Sequence, residues 1–226
     1  MQSKDSSFIE HYLNAMGIVQ WEERTAKPME SPSMAPFSPA PSWETLEQTV
    51  SQCEKCALCK TRKNTVFGHG SHKATLMLIG EAPGANEDAQ GKPFVGRAGQ
   101  LLTEMLRSIG FSREQVYICN VLKCRPPLNR DPTAEEVIAC TEYLKDQIKL
   151  LNPKLLLALG RVAAHHLLGL QSPLSQLRGQ RFAYGEAETP LLVTYHPAYL
   201  LRNPKDKGKS YQDLLLAKRF LEKEKI

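Results

Sequence analysis

A chain of 226 residues, 42% hydrophobic and 23% charged, has the size and balance of one sizeable α/β domain with an appendage. No stretch approaches the apolar length that spans a bilayer, and the polar start MQSKDSSF lacks the basic-then-apolar order of a secretory signal, so no membrane partner is expected and the chain reads as cytoplasmic. The net charge of +5 hides an asymmetry: residues 1–50 hold three Lys/Arg against seven Asp/Glu, so residues 51–226 carry 26 against 17, a surplus suited to a polyanionic partner.

In chain order, Phe8, Ile9, Tyr12, Leu13 and Met16 fall at helical spacing and predict a short amphipathic helix within residues 1–26. It serves either to dock on the body or to tether a protein partner. Lys27 to Ser42 holds five of the fifteen prolines and almost nothing that could pack, so residues 27–42 read as an extended linker. The remaining residues 43–226 form the expected main domain.

Next come clustered thiols. Cys53, Cys56 and Cys59 stand at x2 spacing, with Cys119, Cys124 and Cys140 far downstream. In a cytosolic chain such a group favours a metal or an iron–sulfur cluster over disulfides, and four thiolates suffice for zinc or for a cubane cluster. Spacing alone does not choose which four, or which metal. A ferredoxin run lacks its fourth Cys-Pro, and a radical-SAM triad needs CxxxCxxC. Cys119, alternating with Ile118 in a strand pattern, reads as a small buried hydrophobe.

Strand-like runs at Thr75–Ile79, Val116–Val121, Lys154–Leu159 and Leu191–Tyr195 then alternate with helical patterns at about 97–109, 133–151, 161–168 and 209–224. Gly110 stops the first of these helices, and Thr133 with Glu136 is spaced as a capping box for the second. This alternation predicts a three-layer α/β/α sandwich on a mostly parallel sheet. Ligands of such sheets bind at the carboxyl ends of the strands. There the sequence places GEAPG, Asn120, Gly160 and His196.

The loop GEAPGANEDAQGKPFVG matches neither of two phosphate motifs. From Gly84 to Gly91–Lys92 six residues intervene where a P-loop has four, and Pro93 occupies the Ser/Thr position. No GxGxxG opens the next helix either, so nucleotide hydrolysis and hydride transfer lose their support.

The segments CEKCALCKTRKNTVFG, GEAPGANEDAQGKPFVGRAGQLL, CNVLKCRPPLNRDP and TYHPAYLLRNP, in this order, resemble the family-four, iron–sulfur uracil-DNA glycosylases over about residues 50–205. The resemblance implies a monofunctional enzyme that flips uracil out of single- or double-stranded DNA and hydrolyses its N-glycosidic bond in base excision repair. It implies that Asn120 reads the base, that Phe94 stacks on it, and that His196 donates to the uracil O2 as charge develops. Glu81, Ala82 and Pro83 would line the pocket.

Better-known branches carry Asp at the third position of the first motif. Here that residue is Ala82, and Glu87 resembles the acid proposed for water activation, the bland alternative making Glu87 and Asp88 solvated loop acids. The resemblance carries over Cys53, Cys56, Cys124 and Cys140 as ligands of a [4Fe-4S] cluster with a structural role. Leu200 or Leu201 would enter the gap left by the flipped nucleotide, the other packing in the core, while Arg202 holds a phosphate. The run Lys205, Lys207, Lys209 reads as phosphate-facing or solvated. No basic insertion follows KCRPPLNRDP, so turnover rather than covalent capture of DNA is expected. Action as a monomer is the default for base flipping. The alternative is a non-catalytic iron–sulfur module that binds nucleic acid on the same fold.

Overall fold

The computed structural model describes residues 42–223, together with residues 11, 13 and 15–17. The chain divides into two units, residues 1–40 and residues 41–226. In the first, residues 11, 13 and 15 are helical; Phe8, Ile9 and Tyr12 of the expected amphipathic helix lie outside the described residues, as does the linker up to residue 41. Ser42, expected as linker, instead caps helix α1 (Trp43–Ser51), its hydroxyl accepting from the Thr45 amide at 3.2 Å.

The second unit is built on one six-stranded sheet. Its strands are β1 (His69–Gly70), β2 (Leu76–Gly80), β3 (Tyr117–Asn120), β4 (Leu155–Leu159), β5 (Phe182–Tyr184) and β6 (Thr189–Thr194), in the order β1-β3-β2-β4-β6-β5. The inner β3-β2-β4-β6 are parallel, and the short edge strands β1 and β5 pair antiparallel. Every residue of β2, β3 and β4 is buried, because helices cover both faces and leave no wet side to alternate toward.

Alternate residues of each strand feed two cores, as the period of two requires. Leu76, Leu78, Ile118, Leu155, Leu157 and Leu192 pack against α3 (Arg97–Ser108), α7 (Pro197–Arg202) and α8 (Lys207–Lys223). Met77, Ile79, Cys119, Leu156, Ala158 and Val193 pack against α4 (Ala134–Leu151), α5 (Arg161–Leu168) and α6 (Leu174–Leu177). The result is the expected α/β/α sandwich, and Cys119 is the buried hydrophobe its alternation suggests.

The helix signals hold in detail. Thr133 and Glu136 form the capping box of α4, the Thr133 amide donating to Glu136 Oε2 at 2.9 Å and the Glu136 amide to Thr133 Oγ1 at 3.3 Å. The loop after β2 contains a further short helix, α2 (Ala85–Gln90). Among the described residues no helix is long and apolar enough to cross a membrane.

Candidate active site

The carboxyl ends of the inner strands converge. β2 and β3 run in register to their last residues, with Gly80 opposite Asn120, and the chain leaving β6 reaches His196 two residues on. These ends wall a cavity of about 440 Å³ whose lining includes Glu81, Ala82, Pro83, Glu87, Phe94, Asn120, His196 and Arg202. Two glycines permit the close approach. A Cβ on Gly80 would meet Asn120 Oδ1 and stand 2.7 Å from the Phe94 ring, and one on Gly160 would stand 2.8 Å from the His196 Cβ.

Asn120 is 2% exposed, and its Oδ1 is buried with no hydrogen-bond partner. Such an orphan is costly, about 1–3 kcal/mol, unless a ligand supplies the donor. The residue is fixed from behind. Fully buried Lys123 donates from Nζ to the Asn120 carbonyl at 2.7 Å and to Gln147 Oε1 at 2.6 Å, and Gln147 Nε2 donates to the Phe67 carbonyl and the Tyr117 hydroxyl. Burial lowers the Lys123 pKa, and the neighbouring thiols Cys119, Cys140 and Cys124 oppose that shift.

Phe94 stands at φ +55, a left-handed backbone that few bulky residues adopt. Its ring centroid lies 5.5 Å from that of His196, tilted 34°. Gly99 makes room for this turn, since a Cβ there would run into the Phe94 carbonyl. The ring packs into the core beneath α3 while lining the cavity, so the packing and stacking readings of Phe94 are compatible.

His196 caps α7, with its Nδ1 accepting from the Ala198 amide at 3.2 Å. That bond assigns the proton of the neutral ring to Nε2, leaving a donor. Burial pushes the His196 pKa down to about 4, Arg202 adds to the effect and Glu87 opposes it. The imidazole is therefore neutral at neutral pH.

Glu87 is engaged as a loop brace. Its Oε1 accepts from the Val95 and Gly96 amides at 2.9 and 3.0 Å, and Oε2 from the Gly84 amide at 3.1 Å. Three of about four acceptor positions are taken, and one on Oε2 remains. Asp88 is buried and accepts from the Lys63 amide at 2.9 Å. Neither acid is simply solvated. Glu81 lines the cavity with its pKa raised by burial and by Asp131, Arg161 opposing.

The segment TYHPAYLLRNP divides its leucines. Leu200 is 0% exposed in the core beneath α7, which corrects its candidacy as a DNA wedge, since no base step can reach it; Leu201 is half-buried. Arg202 is exposed at the cavity. Lys205 and Lys207 are exposed, and Lys209 pairs with Asp206 at 2.8 Å. The sequence did not single out the wall made by Pro126, Asn129, Arg130 and Asp131, for which the signal was the turn-rich NRDP that closes the segment CNVLKCRPPLNRDP.

Cys56, Cys124 and Cys140 share an apolar patch with Leu58, Leu122 and Ala82, and Cys53 lies against the neighbouring cluster of Leu46, Val50, Phe67 and Tyr143. Arg62 bridges them, donating to Cys124 Sγ at 3.3 Å and to the Cys53 carbonyl at 2.7 Å. Burial pushes the Cys124 thiol up to about 11 against the pull of Arg62. The donor chemistry, thiols in apolar surroundings beside a cation, fits an iron–sulfur cluster. The arrangement itself does not yet converge: among the described residues no three His, Cys, Asp or Glu side chains are grouped as a metal ion requires. Cys59 is half-buried one turn on from Cys56, its amide donating to the Cys56 carbonyl at 3.3 Å.

Comparison with known proteins shows what the chain resembles. The profile of the Uracil DNA glycosylase superfamily matches residues 67–218. The chain is 45% identical over 177 residues to a type-4 uracil-DNA glycosylase of Pyrobaculum aerophilum, covering 76% of this chain and 90% of that one. It is 43% identical over 184 residues to a type-4 uracil-DNA glycosylase of Thermotoga maritima, covering 80% and 95%. A type-5 uracil-DNA glycosylase of Thermus thermophilus is more distant, 32% identical over 149 residues, covering 58% and 68%.

Proposed function

Because this chain belongs to the uracil DNA glycosylase superfamily, we propose that the cavity at the ends of β2, β3 and β6 takes uracil flipped out of DNA and is where its N-glycosidic bond is hydrolysed. The enzyme is a DNA-repair hydrolase of N-glycosyl bonds. The observation that carries the site is the buried, unpartnered Asn120 Oδ1 beside Phe94 and His196.

Uracil presents an imide N3–H between two carbonyls. Asn120 Oδ1 accepts from N3–H while its Nδ2 donates to O4, a pairing that cytosine reverses at both positions. Phe94 stacks on the ring, and the walls from Glu81 to Pro83 close its edge. In the reaction the N1–C1′ bond breaks with its electron pair on the base, a water oxygen bonds to C1′, and the proton that the water gives up ends on the departing uracil anion. An abasic site and free uracil result.

The neutral His196 meets the negative charge as it develops on O2, through the proton that its Nδ1 bond confines to Nε2. Glu87 holds the loop through three amides, and its remaining acceptor on Oε2 orients the attacking water. Ala82, at the third position of GEAPG, supplies no carboxylate for that task. Arg202 at the rim contacts a phosphate of the strand.

Cys53, Cys56, Cys124 and Cys140 are the residues that would hold a [4Fe-4S] cluster, which on binding adds folding free energy by cross-linking distant segments. Those segments are the one after α1, the loop after Asn120 and the middle of α4. Arg62 offsets the negative charge of the thiolates. Action inside the cell as a monomer on uracil-containing DNA completes the reading.

The test is incubation with a uracil-containing oligonucleotide followed by alkali. Strand cleavage at the uracil is expected. An intact strand at high enzyme excess would turn the reading toward a binding module without activity.

A further inference from the structure

The loop between Asn120 and α4 carries an unexplained feature. Leu128 is 95% exposed, and both Leu128 and Asn129 hold a left-handed backbone at φ +54. A leucine in that conformation is strained, and full exposure removes the burial that would offset the strain. Nothing inside the protein benefits from the side chain.

Its mounting is rigid. Arg125 Nε donates to Asn129 Oδ1 at 2.7 Å, Arg130 grips Glu136 through two bonds at 2.9 and 2.6 Å, and Asp131 pairs with Arg161 at 3.0 Å. Pro126, Asn129, Arg130 and Asp131, on either side of Leu128, line the cavity. Among the described residues the other large apolar side chains exposed by two-fifths or more are Met16, Ile138, Leu170 and Tyr211, none of them in a segment that lines it. The segment TYHPAYLLRNP offers no equally free leucine, since Leu200 is buried and Leu201 half-buried.

We propose that Leu128 is an apolar finger that enters the base stack of duplex DNA beside the flipped nucleotide, held at the cavity rim by the braced 125–131 loop. The proposal rests on the glycosylase reading of the cavity. A nucleotide leaving a duplex opens a gap between stacked bases, and an apolar side chain that fills it delays the return of the base. A rigid mount lowers the entropic cost of presenting the side chain. Arginines in the same loop and at the rim suit the flanking phosphates. An unpaired strand has no stack to wedge, so the finger has work only on a duplex.

The experiment measures single-turnover release of uracil from a duplex and from the same strand unpaired, for the full chain and for Leu128→Asn and Leu128→Phe. Asn tolerates the left-handed backbone and removes the apolar group. Leu128→Asn is expected to slow release from the duplex about tenfold or more, to leave the unpaired strand within about twofold, and to keep the melting temperature; Leu128→Phe is expected to keep the duplex rate. In a second readout, 2-aminopurine placed next to the uracil in the duplex should brighten less with Leu128→Asn. Equal duplex rates for the full chain and Leu128→Asn, or an equal loss on both strand forms, would overturn the finger while the glycosylase reading stands. A full chain that releases uracil from neither substrate would remove both.

Discussion

Asn120 and His196 reach their positions by different local physics. The amide is the last residue of a fully buried strand and cannot turn to solvent, while the imidazole is set by a helix cap. Replacing Asn120 with Ala removes both hydrogen bonds to the base and should lower uracil excision roughly 10- to 100-fold with little change in melting temperature; an unchanged rate would exclude it as the reader. His196 predicts a pH profile. With its pKa near 4, the rate should hold from pH 8 to about pH 5 and fall toward pH 4, where a proton on Nδ1 sets two donors, imidazolium and Ala198 amide, against each other. Between the unfolded value near 6.5 and the folded value near 4 the unfolded chain binds the proton first, so this group also lowers stability as pH falls through that window and no further below it. A rate that drops by half near pH 6.5 would mean an exposed ring. The apolar runs before them placed both residues at strand ends, while the roles expected of them came from resemblance to a family. The left-handed backbone of Phe94 and the exposure of Leu128 were not legible, since no residue type there announces a positive φ.

At the scale of elements, the β2 terminus governs how tightly Asn120 and the Phe94 ring approach. Gly80→Ala would set a methyl group against Asn120 Oδ1 and the Phe94 ring. The expected result is a loss of about 1–3 kcal/mol in stability together with a fall in excision larger than that of Glu81→Gln, measured by denaturant melts and single-turnover rates. Preserved activity would show that the ends of β2 and β3 are further apart than their register implies. The four inner strands and the long helices were legible from apolar runs of five or so residues alternating with 3.6-period faces. The edge strands β1 and β5, and the short helices α2 and α6, escaped notice because two to six residues carry too little pattern to separate strand, helix and turn. Leu200 shows the limit differently. Within HPAYLLR the sequence offers two adjacent leucines, and only the phase of α7 decides that Leu200 packs inward.

At the scale of the whole molecule, two distant parts of the chain meet behind the site. The thiols before β1 stand against those of the loop after Asn120 and of α4, and Lys123 and Gln147 tie the same region to the back of Asn120. Cys140→Ala should abolish a brown charge-transfer band, reduce bound iron to background and lower the melting temperature, with excision falling only as far as folding does. Full iron content in that variant would remove Cys140 from the ligand set, and stoichiometric zinc in the unaltered protein would replace the cluster altogether. Thiol spacing suggested a metal but not which four residues would hold it; that selection depended on resemblance to a family, because Cys59 and Cys119 are as close in sequence to their neighbours as the others. The most direct measurement of base reading is inhibition of excision by free uracil beside 3-methyluracil, which differs by the loss of the N3–H that the unpartnered Asn120 Oδ1 awaits. Uracil should inhibit at least about tenfold more strongly; equal inhibition by the two would contradict Asn120 as the acceptor at the centre of the site.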